Sequence, residues 1–129
     1  MAVTVAIVLL GVCLAANVMA NRKVCSLKPD SGPCEALVIQ WYHVNGTCDV
    51  FNYGGCLGNR NNFDTKEECE QKCIVCNLPV VTGRCEAYMP SWYFNNGVCK
   101  KFVYGGCGGN GNRFKSRNAC RRACTIKRQ

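Results

Sequence analysis

The sequence predicts a small, disulfide-rich α+β fold built twice in tandem, and three observations carry that prediction. First, 13 of the 129 residues are Cys, a density that belongs to small domains stapled by disulfides in an oxidising compartment. Second, setting Cys13 aside, the cysteines fall at 25, 34, 48, 56, 69, 73 and again at 76, 85, 99, 107, 120, 124, each 51 positions after its counterpart. Between the outer cysteines, 22 of 49 positions are identical, among them Trp41 and Trp92 and the YGGC of residues 53–56 and 104–107, so the chain is a tandem repeat. Third, each copy reads strand, tight turn, strand, Gly/Asn loop, short helix.

The first segment stands apart. Residues 1–20, MAVTVAIVLLGVCLAANVMA, carry no charged side chain, run apolar from Val3 to Ala16 apart from Thr4 and end in Val18, Met19, Ala20, with small residues where a signal peptidase reads. We read a cleaved signal peptide with Asn21 as the new N-terminus. The apolar run is shorter than the roughly 20 residues of a membrane span, and no basic residue precedes it. Cleavage removes Cys13 and leaves twelve cysteines, an even number that can pair completely. The reading is therefore a secreted chain with one domain over residues 21–75 and a second over 76–129. Only Ile74 and Val75 separate the two cysteine frames, so the domains lie close together.

Within each copy the elements follow from local chemistry. VIQWYHV (38–44) and TCDVFNY (47–53) are rich in β-branched and aromatic residues, and Asn45-Gly46 between them is the pair that a type I′ hairpin turn prefers, because both central residues need positive φ. Asn96-Gly97 repeats it. GGCLGNRNNF and GGCGGNGNRF then read as irregular loops. A short helix closes each copy: Thr65 with Glu68 matches a capping box, Ser116 is the cap of the second, and Cys69 with Cys73, like Cys120 with Cys124, are four apart on one face. A domain of roughly 50 residues buries too little apolar surface to be secure by that means alone. A disulfide between its outermost cysteines contributes about 4 kcal/mol in the chain-entropy model.

Metal and catalysis are excluded on the same grounds. The cysteine spacings lack paired CxxC knuckles, and the only His in the chain is His43, so zinc is not expected. His43 lies in a strand pattern without a partner Ser, Asp or second His and reads as a half-buried strand residue. No cofactor is implied and the protein is not expected to be an enzyme.

The order CxxxxxxxxC, WYH, CxxFxYGGCxGNxNNF, CxxxC resembles the Kunitz type, the pancreatic trypsin inhibitor family, over nearly all of residues 25–124. Spacing alone leaves 15 connectivities for six cysteines. The resemblance implies Cys25 with Cys73, Cys34 with Cys56 and Cys48 with Cys69, and likewise Cys76 with Cys124, Cys85 with Cys107 and Cys99 with Cys120. It implies two Kunitz domains, each a twisted two-stranded β-hairpin with a short C-terminal helix and three disulfides. In layout the chain resembles bikunin and the tick-type inhibitors of blood-feeding arthropods. One departure is visible: 13 residues separate the second and third cysteines where the family usually has more, and the deficit falls in the hairpin turn.

The resemblance also implies inhibition of a serine protease by a substrate-like loop. That loop is Gly32, Pro33, Cys34, Glu35, Ala36 in the first domain and Gly83, Arg84, Cys85, Glu86, Ala87 in the second. Glu35 and Glu86 stand where the family fills the protease's primary specificity pocket, with Ala36 and Ala87 across the scissile bond. A carboxylate entering a trypsin-like pocket, whose floor is itself a carboxylate, is repelled and desolvated at a cost of several kcal/mol. Weak or no trypsin inhibition is expected. Two readings stand: a protease with a Glu-accepting pocket, or a loop that stays in solvent and is no longer used this way.

Charge supplies the other lead. Residues 21–75 hold 6 Lys or Arg and 7 Asp or Glu, whereas residues 76–129 hold 10 and 1, so the excess of positive charge belongs to the second domain. Arg113, Lys115, Arg117, Arg121, Arg122, Lys127 and Arg128 crowd its last 17 positions without an acid. Such a cluster fits a heparin-like glycan or another anionic surface, or simply a solvated face; nucleic acid is not expected outside the cell. Asn45-Gly46-Thr47 is an N-glycosylation sequon on the turn. The rival class to an inhibitor is a binding protein on the same scaffold, taking a glycan, a coagulation-factor exosite or an ion channel through the basic second domain. No RGD or KGD tripeptide is present. A third reading sends the NRKV of residues 21–24 into a thrombin-like site. The chain is expected to be a monomer without a membrane span.

Overall fold

The structure, a computed structural model, describes residues 22–126. The leader with Cys13, Asn21 and the tail residues Lys127 and Arg128 lie outside the described residues. Each repeat holds one antiparallel hairpin and one closing helix: β1 (Val38–Val44), β2 (Thr47–Tyr53) and α1 (Lys66–Cys73), then β3 (Met89–Asn95), β4 (Val98–Tyr104) and α2 (Arg117–Cys124). The hairpins pair in register from Val44 opposite Thr47 to Val38 opposite Tyr53, and from Asn95 opposite Val98 to Met89 opposite Tyr104.

The turns show why Asn-Gly was needed. Asn45 and Gly46 have φ of 48° and 79°, and Asn96 and Gly97 have 49° and 85°, the left-handed conformations of a type I′ turn. The tighter connection is thus met by two residues that tolerate it. Each helix begins on a hydroxyl cap, Glu68 N donating to Thr65 Oγ1 at 3.1 Å and Ala119 N to Ser116 Oγ at 3.0 Å.

Six disulfides join Cys25–Cys73, Cys34–Cys56, Cys48–Cys69, Cys76–Cys124, Cys85–Cys107 and Cys99–Cys120. Their sulfurs are much of the core: Cys69, Cys120 and Cys124 are 0% exposed. Around them pack Phe63 and Trp41 in the first repeat, Phe94, Trp92 and Phe114 in the second. The Gly/Asn loops are anchored more firmly than their composition suggests. Phe63 and Trp41 exchange both backbone hydrogen bonds, at 2.9 and 2.8 Å, as do Phe114 and Trp92.

The buried Asn61 amide donates to Leu27 O and His43 O and accepts from His43 N, at 2.8 to 3.0 Å. Asn112 does the same with Leu78 O, Phe94 O and Phe94 N. His43 is half-buried on β1, its Nδ1 in a 2.8 Å hydrogen bond with Cys25 O.

The repeats are not independent. Ile74 caps α1, and Val75–Asn77 form a single 3-10 turn, so the connection is ordered backbone. Lys72 Nζ reaches the end of the other repeat's helix, donating to the carbonyls of Arg122, Ala123 and Thr125 at 3.4, 3.3 and 2.8 Å. A cation there satisfies carbonyls that a helix C-terminus leaves open and complements its partial negative charge. Ile126, beyond the last cysteine of the second repeat, is 7% exposed and joins Val24, Cys25, Phe63, Cys69 and Cys73 in the first repeat's core. No helix among the described residues is long and apolar enough to cross a membrane.

Candidate functional site

The site is a loop that the fold pushes outward and then ties at both shoulders. In the first repeat, Gly54, which follows β2, donates its N–H to Ser31 O at 2.8 Å and accepts at its carbonyl from Ala36 N at 3.0 Å. One residue therefore clamps the loop on either side of Cys34 and Glu35. The second repeat uses the same two bonds, Gly105 N to Thr82 O at 2.8 Å and Ala87 N to Gly105 O at 3.0 Å. The Cys34–Cys56 and Cys85–Cys107 disulfides, with Cα separations of 5.6 Å, hold the loop to the Gly-rich segment behind it.

Small residues make that approach feasible. Gly32 has φ of +69°, and a Cβ on it would run into the carbonyl oxygen of Cys56; Gly83, at +78°, would meet Cys107 in the same way. The methyls of Ala36 and Ala87 lie against Gly55 and Gly106, where an added Cβ would sit at 3.3 and 3.2 Å. A side chain at either glycine would press on the neighbouring alanine methyl.

Between the clamps the chain is presented to solvent. Residues 33–39 and 84–90 are all exposed, including Pro33, Cys34, Glu35, Arg84, Cys85 and Glu86. The flanking apolar residues differ between copies: Leu37 is 85% exposed and Leu57, on the neighbouring segment, 71%, whereas the second copy places Tyr88 and Gly108 there. Leu57 also holds φ of 57°, with its carbonyl accepting from the Tyr53 hydroxyl at 2.7 Å.

A convex loop with its ends fixed in this way can be gripped by a partner's cleft. No group of three or more His, Cys, Asp or Glu among the described residues could hold a metal ion.

A model of the Kunitz/bovine pancreatic trypsin inhibitor domain matches residues 24–74 and again 75–125. The chain belongs to that family. Among Kunitz relatives, it is 45% identical over 116 residues to amblin of Amblyomma hebraeum, covering 81% of this chain and 70% of amblin. It is 46% identical over 110 residues to the inter-alpha-trypsin inhibitor of Equus caballus, covering 79% and 87%. Protein AMBP of Mesocricetus auratus is 42% identical over 120 residues, which are 88% of this chain; the chain spans 34% of that longer protein. Among solved structures, the complex between SmCI and human carboxypeptidase A4 matches at 41% identity and a TM-score of 0.40, covering 78% of this chain and 67% of that one.

The other residues singled out in the sequence fall elsewhere. Arg113 stacks over the Tyr104 ring at 4.1 Å and Arg117 over Trp92 at 4.8 Å. Lys115, Arg121 and Arg122 are exposed. Asn45 is exposed at the hairpin tip, and the Thr47 hydroxyl donates to Val44 O at 3.1 Å. Of NRKV, Arg22 and Lys23 are exposed, but Val24 is 2% exposed and part of the core. Residues 22–24 are helical and not an extended tail. Sequence reasoning missed Lys101, whose ammonium stands 5.6 Å from the Trp92 centroid; its signal was there, since β3 and β4 in hairpin register place Lys101 opposite Trp92.

Proposed function

We propose that the protein is a secreted, non-enzymatic inhibitor of a serine protease, acting through the loops centred on Glu35 and Glu86, and that its target does not have a trypsin-like pocket. The observation that carries this reading is the double clamp of Gly54 on Ser31 and Ala36, which leaves Cys34 and Glu35 exposed on a backbone with little freedom left to lose. A loop ordered beforehand loses less entropy on binding. If the Glu35–Ala36 bond is attacked, the new amine stays tethered beside the acyl carbon, where re-formation of the amide competes with hydrolysis. The six disulfides support an extracellular location.

Glu at both primary positions sets the target class. Repulsion and desolvation in a pocket floored by a carboxylate cost several kcal/mol, and each 1.4 kcal/mol is about a decade in affinity. The partner's pocket must instead offer hydrogen-bond donors or a cation. The experiment is a screen of the mature protein against proteases of differing pocket chemistry, with Glu35→Lys and Glu86→Lys in parallel. Gain of tight trypsin inhibition, about a thousandfold or more, shows that the loops are competent and that Glu selects the target. No gain in either variant sinks the substrate-like mechanism.

The rival reading, a ligand-binding Kunitz scaffold without inhibitory activity, is favoured by the second domain's charge alone. Glycosylation at Asn45 is consistent with its exposure; a mass shift removed by an amidase that cleaves N-glycans tests it.

A further inference from the structure

The two repeats are a matched pair in which the fold is held constant and the surface is recharged. At equivalent positions, Asp49, Val50, Asp64, Glu70 and Gln71 of the first repeat become Lys100, Lys101, Lys115, Arg121 and Arg122 of the second. The first repeat makes the same hairpin, helix and disulfides with the acidic set, so folding does not require the basic one.

The helix shows the contrast most sharply. On α1, Lys66 pairs with Glu70 one turn on at 3.7 Å. On α2 the same two positions are Arg117 and Arg121, like charges four residues apart, which cost a helix stability where the opposite pair would add it. Lys101 and Arg117 both stand over the Trp92 ring, at 5.6 and 4.8 Å, while among the described residues Trp41 has Lys66 alone, at 6.0 Å. None of Lys101, Lys115, Arg117, Arg121 and Arg122 has an ion-pair partner among the described residues, and all five are exposed; Lys100, opposite Tyr93, belongs to the other face of the hairpin.

We propose that this face of the second domain, centred on Trp92 and formed by β4, the Lys115 loop and α2, binds a linear sulfated polysaccharide of the heparin type. This deepens the reading of the basic domain as an anion-binding surface and does not depend on protease inhibition. The cations come from three separate elements, and the cavities of about 330 and 370 Å³ beside Phe94 and His43 are lined by other residues, so the surface suits an extended polyanion. Apart from cysteines and two alanines, α2 carries only Arg and Asn; it presents no large apolar side chain to enter a bilayer. Arg forks and the ammonium groups match repeated sulfates along a flexible chain.

The test transplants the first repeat's side chains into the second: Lys101→Val, Lys115→Asp and Arg121→Glu, each a residue that the equivalent site already accommodates. Binding of the full mature chain to heparin is measured by calorimetry from 50 to 200 mM salt. The wild type should bind with affinity falling linearly in log–log form, by about a hundredfold or more across that range. The triple variant should lose about a hundredfold at fixed salt, with its thermal unfolding and its loop's inhibitory behaviour unchanged. The reverse transplant, Val50→Lys, Asp64→Lys and Glu70→Arg, should strengthen binding. Retained heparin affinity in the triple variant overturns the proposal, as does equal affinity for desulfated heparin. Tighter binding at the same salt to vesicles of anionic lipid or to duplex DNA overturns the choice of partner.

Discussion

Gly32→Ala tests whether the loop's rigidity comes from its close approach to the Gly-rich segment. Two effects combine at this site. The backbone sits at φ +69°, where Ala is disfavoured by about 1 kcal/mol. The new Cβ would also fall within the van der Waals envelope of Cys56 O, so the loop and the segment behind it must part by about 1 Å, at a further ~1–3 kcal/mol. Total destabilisation of the first domain should be about 2–4 kcal/mol. A displacement of that size at a reacting centre costs about a hundredfold.

Gly46→Ala supplies the control: its φ is +79°, yet nothing lies within 4 Å of the added Cβ. It should show the conformational strain of about 1 kcal/mol and no effect on the loop. Both variants are made in the Glu35→Lys background and assayed against trypsin, with thermal unfolding followed alongside. If Gly32→Ala weakens inhibition no more than Gly46→Ala does, the steric account of the loop is wrong.

Three further substitutions test the buried links. Asn61→Ala and Asn112→Ala each strip three hydrogen bonds from buried or half-buried backbone groups and should cost about 2–3 kcal/mol apiece; calorimetry showing less than about 0.5 kcal/mol for either would contradict the anchoring role. Ile126→Ala should cost about 2–4 kcal/mol, and hydrogen exchange should register the loss at first-repeat amides around Val24 and Phe63. Faster exchange confined to the second repeat would refute the shared core.

What was legible in the sequence was what local chemistry decides. Asn45-Gly46 and Asn96-Gly97 fixed the hairpin register, because few other dipeptides accept two successive positive φ values. Thr65 and Ser116 marked the helix starts through hydroxyls that need only reach three residues ahead. The disulfide pairing was a different matter: twelve cysteines by themselves admit many pairings, and only the family pattern narrowed them. Asn61 and Asn112 were hidden in a loop whose composition signalled irregular backbone, since an amide that bonds residues 18 and 34 positions away leaves no local trace. Lys72 and Ile126 were hidden for the same reason. Lys72 occupies an ordinary last-turn position on α1, and its partners are about 50 residues downstream.

Ile126 also has a bearing on how the protein is made. Synthesis proceeds from the N-terminus, and domains generally fold as they emerge. Here the first hairpin and its helix are complete by Cys73, yet the apolar cluster around Val24 and Phe63 is finished only by a side chain contributed 53 positions later. The first domain can close its three disulfides within residues 25–73, but the spot that Ile126 covers stays bare until the second is made. The two modules cannot be shuffled like beads: excised alone, the first would carry an uncovered apolar spot that a gene fusion or truncation would have to repair.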